Sequence, residues 1–238
     1  MTFFNYKPVG LYNGMIAPLV GLPIKGVIWY QGESNTDYPD NYCELFSQMI
    51  SDWRSRWNLP RLPFIYVQLA NFMPSDAEPS DSNWAELRQQ QLLALKNADT
   101  AMAVAIDVGE WNDLHPLNKK AVGERLALGA RAIAYHEDIT FSGPVYRSME
   151  IRESKVVLSF DHVDGGLVAV DGPLRHFALA GPDGNFRWAE AVIEGDHVVV
   201  WHDEIAEPKA VRYAWAHNPE GANLYNKAGL PASPFSTE

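Results

Sequence analysis

A chain of 238 residues with 47% hydrophobic and 21% charged residues has room for one or two domains and a sizeable core, which excludes intrinsic disorder and fibrous or low-complexity structure. Its 19 Lys and Arg against 30 Asp and Glu leave a formal net charge of −11, a field that repels phosphate backbones and anionic lipid, so neither nucleic acid nor a membrane is an expected partner. The single cysteine, Cys43, excludes an internal disulfide and a multi-cysteine metal cluster and leaves the compartment open. No run approaches the roughly 20 apolar residues of a membrane span, and Met1-Thr2-Phe3-Phe4-Asn5-Tyr6-Lys7 lacks the basic-then-apolar order of an export signal, so none is expected.

Residues 24–31 form a short apolar run rich in β-branched and aromatic side chains that stops at Gly32, which predicts a buried strand. Tyr42, Leu45, Phe46, Met49, Ile50, Trp53 and Trp57 then recur at helical spacing, closed by Pro60 and Pro63. A second strand is expected over 64–69, a second helix over 83–96 and a third strand over 101–107. Pro116 stands where a first helical residue would, ahead of Val122, Leu126, Gly129 and Ile133. Residues 24–136 thus read as β-α-β-α-β-α, a parallel sheet with helices on its faces. Three strands make a small parallel sheet, and an exposed edge on the first points to missing N-terminal strands. From Ser142 the pattern becomes antiparallel β: runs at 155–160, 166–170, 176–179, 197–201 and 211–215 alternate with Gly-containing turns. The tail, 218–238, reads as an irregular packed strap.

Ligands of open α/β sheets bind beyond the carboxyl ends of the strands. There the first strand delivers Gln31, Glu33, Ser34 and Asn35, the second Gln68 and Asn71, and the third Asp107, then Glu110, Asn112, Asp113 and His115. Asp113 stands two residues before His115. A carboxylate so placed can fix the imidazole tautomer and leave the other nitrogen as a general base, while the bland alternative is a surface loop. Glu33 is either a second partner for His115 or a carboxylate favoured at a helix start. The other histidines, His162, His176, His197, His202 and His217, have no ligand spacing. A metal site from Glu33, Asp113 and His115 has no second histidine to support it, so no metal is expected. Trp29, Trp53, Trp57 and Trp188 read as core; Trp84 and Trp111, beside the polar loops, read as candidates for stacking on a sugar ring.

The blocks at 25–35 (Lys-Gly-Val-Ile-Trp-Tyr-Gln-Gly-Glu-Ser-Asn), 113–119 (Asp-Leu-His-Pro-Leu-Asn-Lys), 211–215, 223–226 and 229–235 together resemble the C-terminal part of sialate O-acetylesterases. That family belongs to the SGNH hydrolases, which include acetylxylan esterases sharing the Gln-Gly-Glu-Ser and Asp-x-His-Pro blocks. The resemblance covers nearly the whole chain. It implies a flavodoxin-like three-layer α/β fold, incomplete at its N-terminal strands, over residues 1–141, and a β-rich region over 142–238. It also implies a serine esterase that removes O-acetyl groups from carbohydrate without metal or organic cofactor, in a family often exported. By position His115 becomes the general base, Asp113 its orienting acid with Glu33 competing for that role, and Gln31, with Asn35 nearby, the oxyanion or substrate-binding amide. An amide aimed at the developing oxyanion contributes roughly 3 to 4 kcal/mol.

One family feature is absent. The nucleophile of such enzymes lies in a Gly-Gln-Ser-Asn-type block well upstream of Gln-Gly-Glu, and this sequence does not contain it. Residues 11–19 instead resemble the segment just before the Gln-Gly-Glu strand. Three expectations follow: the chain is a fragment or subunit of a longer esterase; or it is a truncated homologue or carbohydrate-binding module that dimerises through its exposed sheet edge; or Ser34, in a Gly-x-Ser turn after a strand, serves as nucleophile. Against the last, Thr36 replaces the closing glycine of that turn.

Overall fold

The protein, as a computed structural model, is described over residues 9–238; the reading of residues 1–7 lies outside them. Its first half alternates β1 (Val27–Trp29), α1 (Tyr42–Trp57), β2 (Phe64–Val67), α2 (Asn83–Leu93), β3 (Thr100–Ala103) and α3 (Lys119–Tyr135). The strands lie in the order β1-β2-β3, all parallel, with Ile28 opposite Ile65 and Tyr66 opposite Met102. Alternation along the strands divides the side chains between two faces. Phe64, Tyr66 and Met102 join Tyr42, Phe46 and Ile50 of α1 and Trp84 and Leu87 of α2, whereas Ile65, Val67, Ala101 and Ala103 pack with Val122 and Leu126 of α3. Gly129 brings α3 close: a Cβ there would stand 3.0 Å from Ile65 and 3.1 Å from Ala101.

The second half comprises β4 (Val145–Arg152), β5 (Lys155–Asp161), β6 (Leu167–Ala169), β7 (Phe177–Ala180), β8 (Phe186–Trp188), β9 (Glu190–Glu194), β10 (His197–Trp201), β11 (Ala210–Tyr213), β12 (Leu224–Asn226) and β13 (Phe235–Ser236). Two four-stranded antiparallel sheets, β4-β5-β10-β9 and β13-β11-β7-β8, bury Val156, Leu158 and Val198 of one with Leu179, Val211, Tyr213 and Phe235 of the other; β12 pairs with β6. The mixed α/β architecture is thus a small parallel sheet followed by antiparallel ones. Its principal core runs without a break from α1 and α2 into these sheets.

Polar clamps cross the same junction. Arg88, fully buried on α2, donates from Nε to Leu69 O (2.8 Å), from Nη1 to Ala216 O (2.7 Å) and from Nη2 to Ala70 O (2.7 Å) and His217 O (3.0 Å). Burial lowers its pKa to about 9, so it stays charged at neutral pH. Gln68, also buried, donates to Arg88 O (3.0 Å) and Ser233 Oγ (2.8 Å).

Several elements depart from the sequence reading. The first strand spans three residues rather than eight, because β1 pairs with β2 alone among the described residues, and Ile28 is 64% exposed. The third ends at Ala103, and Val104 O accepts from Arg125 Nη1 instead of a neighbouring strand. Pro116 does not open α3. It is buried in the preceding loop, and Asn118 caps the helix by accepting from Ala121 N at 3.3 Å. The unpredicted β4 carries a register shift between Tyr146 and Ser148 that breaks its two-residue alternation. The tail packs, but through two short strands, β12 and β13, with Leu224 and Phe235 fully buried.

Candidate functional site

Beyond β1 the chain must turn sharply over the sheet's carboxyl edge, and Gly32 provides the turn. Its φ of +153° suits glycine, and a Cβ would meet Leu87 at 3.0 Å and Gln91 Nε2 at 3.1 Å. The short 3-10 turn Glu33–Asn35 follows, closed by Asn35 N donating to Gly32 O (2.8 Å) and Thr36 Oγ1 to Glu33 O (2.8 Å). Glu33 is half-buried and Ser34 exposed.

The loop after β3 is held along its length. Asp107 accepts from both Nη groups of Arg125 at 2.6 Å and from Tyr225 O–H at 3.1 Å. Burial first, and then Asp107, push the Tyr225 phenol well up, which keeps it a donor. Gly109 N donates to Asn71 Oδ1 (2.7 Å), and Asn71 Nδ2 donates to Asn218 Oδ1 (2.9 Å). A Cβ on Gly109 would run into the Asn71 backbone. Leu117 N donates to Glu110 Oε1 (2.8 Å), and His115 N donates to Asp113 Oδ1 (2.7 Å). Two anchors of this loop, Asn218 and Tyr225, therefore come from the β-rich half.

The two turns meet around a cavity of about 340 Å³ lined by Tyr30, Glu33, Ser34, Leu114, His115 and Lys119. Glu33, Ser34 and His115 are thus brought together, though no hydrogen bond joins their side chains among the described residues. Asp113 is adjacent but spends Oδ1 on the His115 backbone rather than the ring. Lys119 Nζ lies 5.1 Å from the centre of the Tyr30 ring, and burial, then Glu33, raise the Tyr30 pKa. Gln31 and Asn35 stand elsewhere. They line a neighbouring groove of about 120 Å³ with Trp29, Tyr42, Leu45, Phe46 and Met49, where Gln31 Nε2 donates to Asn35 Oδ1 (2.7 Å) and Tyr42 O–H to Gln31 Oε1 (3.2 Å). Among the described residues no three His, Cys, Asp or Glu side chains converge as a metal-binding group.

Ser34 lies inside the 3-10 turn Glu33–Asn35 and does not lead directly into a helix, since α1 begins at Tyr42. Trp84 is corrected from sugar platform to core: it is 5% exposed and its Nε1 donates to Ala70 O at 2.9 Å. Trp111 is 58% exposed on the loop before His115. Gln68 is also removed from the strand-end group by its burial. Sequence reasoning assigned no part to Tyr225, Asn218 or Arg125, because their partners lie far along the chain.

With this geometry in place, comparison with known proteins is decisive. Residues 6–131 match the family described as carbohydrate esterase, sialic acid-specific acetylesterase. The chain belongs to that family. Sialate O-acetylesterase of Mus musculus is 32% identical over 252 residues, covering 94% of this chain and 46% of that protein, and the Homo sapiens enzyme is 32% identical over 253 residues, covering 94% and 48%. Among solved structures, a carbohydrate acetylesterase from Xanthomonas citri superposes with a TM-score of 0.91 at 46% identity, covering 96% of this chain and 54% of that one. This family member therefore spans about half the length of the relatives it matches.

Proposed function

We propose that this chain carries the acid–base half of a carbohydrate O-acetylesterase with an SGNH-type arrangement: residues up to 141 supply the catalytic groups, and 142–238 brace them. The observation that carries the reading is the convergence of Glu33 and His115 on one cavity at the carboxyl edge of the parallel sheet. In this reading His115 takes the proton of a serine hydroxyl as that oxygen attacks the acetyl carbonyl, and passes it to the departing sugar oxygen. Water then attacks the acetyl-enzyme with His115 again as base, releasing acetate. Glu33, which shares the cavity, is the partner of the His115 ring. Asp113 shapes the loop by accepting the His115 backbone N–H. Gln31 and Asn35, bonded to each other in the neighbouring groove, stand outside this cavity and are given no part at the oxyanion in this reading.

The nucleophile in this proposal comes from a strand laid along the free edge of β1. One feature favours such a covering segment: the 64% exposure of Ile28 on that edge. The test is release of acetate from an O-acetylated sugar by the chain alone and by the chain mixed with the portion of its relatives that it does not span. Turnover only in the mixture supports the proposal. Turnover by the chain alone that disappears in Ser34→Ala makes Ser34 the nucleophile instead, and dimers without turnover in either sample favour an inactive homologue paired through β1.

A further inference from the structure

A second cavity of about 340 Å³ opens between the loop after β3 and the β-rich half, walled by Asp107, Asp171, Arg175, Glu220 and Tyr225 among others. It shares no lining residue with the cavity around His115. Arg175 is fixed at two points: its backbone N donates to Asn223 Oδ1 at 2.9 Å and its Nε to Gly221 O at 2.9 Å. Gly221 turns with φ +89°, a conformation L side chains rarely adopt, and lies in ordinary contact range of the Arg175 guanidinium. Both Nη groups of Arg175 are without an acceptor among the described residues, and so are the Asp171 and Glu220 carboxylates without a donor. Asp107 is already neutralised by Arg125.

The charge balance selects the ligand. Two carboxylates, Asp171 and Glu220, line the cleft with one guanidinium, all three exposed to solvent, so the lining carries a net negative charge and disfavours a carboxylate or phosphate. A hydroxyl both donates and accepts, so neighbouring hydroxyls of an uncharged sugar satisfy the carboxylates and the fixed guanidinium fork together. The volume falls in the range of about 300–1,000 Å³ usual for small-molecule sites.

We propose that this cleft is a subsite for a neutral sugar unit of the glycan, separate from the unit that carries the ester. The choice of a sugar over other polyhydroxylated ligands rests on the carbohydrate-esterase reading above.

The test is a titration of ¹⁵N-labelled protein with methyl β-galactopyranoside, a neutral pyranose, and separately with N-acetylneuraminic acid, followed by amide chemical shifts. The neutral sugar is expected to saturate at roughly millimolar concentration and to move the amides of Arg175, Gly221 and Asn223 but not those of Ser34 and His115. Arg175→Ala is expected to weaken it about tenfold or more, the loss of one good polar contact. Asp171→Asn combined with Glu220→Gln also weakens a neutral sugar but strengthens an anionic one. Shifts confined to Glu33, Ser34 and His115, no saturable shift at all, or N-acetylneuraminic acid binding at Arg175 of the parent protein as tightly as the neutral sugar would each overturn the proposal. Because no turnover enters the measurement, failure of the esterase reading and failure of the subsite are distinguishable.

Discussion

Arg88→Met replaces the buried cation that ties the end of β2 to residues 216 and 217. Four charge-assisted hydrogen bonds are lost, worth roughly 1.5–3 kcal/mol each. Two of the acceptors keep other donors: Ala70 O retains Trp84 Nε1, and His217 O retains Phe72 N. Leu69 O and Ala216 O are left bare. Against this stands the cost of burying the charge. The fall of the arginine pKa from 12.5 to about 9 corresponds to roughly 5 kcal/mol, which methionine recovers. The balance is a destabilisation of about 4 kcal/mol, or roughly 8–16 °C in Tm for a protein of this size. Thermal unfolding followed by circular dichroism measures it, with Arg88→Lys as control: lysine keeps the charge and loses the planar fork, so it is expected to fare no better than methionine. An unchanged or raised Tm in Arg88→Met would show that desolvation outweighs the clamp and would refute the reasoning.

Gly32→Ala puts a Cβ into a positive-φ turn against Leu87 and Gln91; a loss of about 2 kcal/mol or more is expected in urea unfolding. Tyr225→Phe removes the O–H that Asp107 accepts. Amide hydrogen exchange should quicken across residues 108–115 while the α1 and β10 amides keep their protection, and uniform exchange in both proteins would deny the anchor. Burial holds His176 and His217 below their usual 6.5. As pH falls the unfolded chain binds protons first, so stability present above about pH 6.5 is lost progressively below it. His176 shows the cause: with Nε2–H donating to Glu220 O, its Nδ1 is buried without a partner to receive a second proton. Tm measured at pH 7.5 and 5.0 should fall less in His176→Gln/His217→Gln than in the parent protein.

The alternation of strands and helices was readable because parallel strands buried on both faces give continuous apolar runs and the helices a stripe. What escaped was set by distant contacts. Nothing in the sequence of the second helix marks Arg88 and Gln91 as buried, yet both are, because the chain around residues 216–217 and the ends of β1 and β2 close over them. Glu33 and His115 could be placed at one edge because parallel strands deliver their carboxyl ends together. The side taken by each residue after the strand was less legible: Tyr30 and Gln31, adjacent in sequence, face different cavities, and the brace from Tyr225 to Asp107 spans 118 positions.

The central claim, that His115 is the acid–base group of a carbohydrate O-acetylesterase, is tested most directly by His115→Ala in the mixture of this chain with the portion of its relatives it does not span, with acetate release from an O-acetylated sugar as the readout. The account predicts that turnover falls by at least about a hundredfold with Tm unchanged. Turnover that survives the substitution would contradict it.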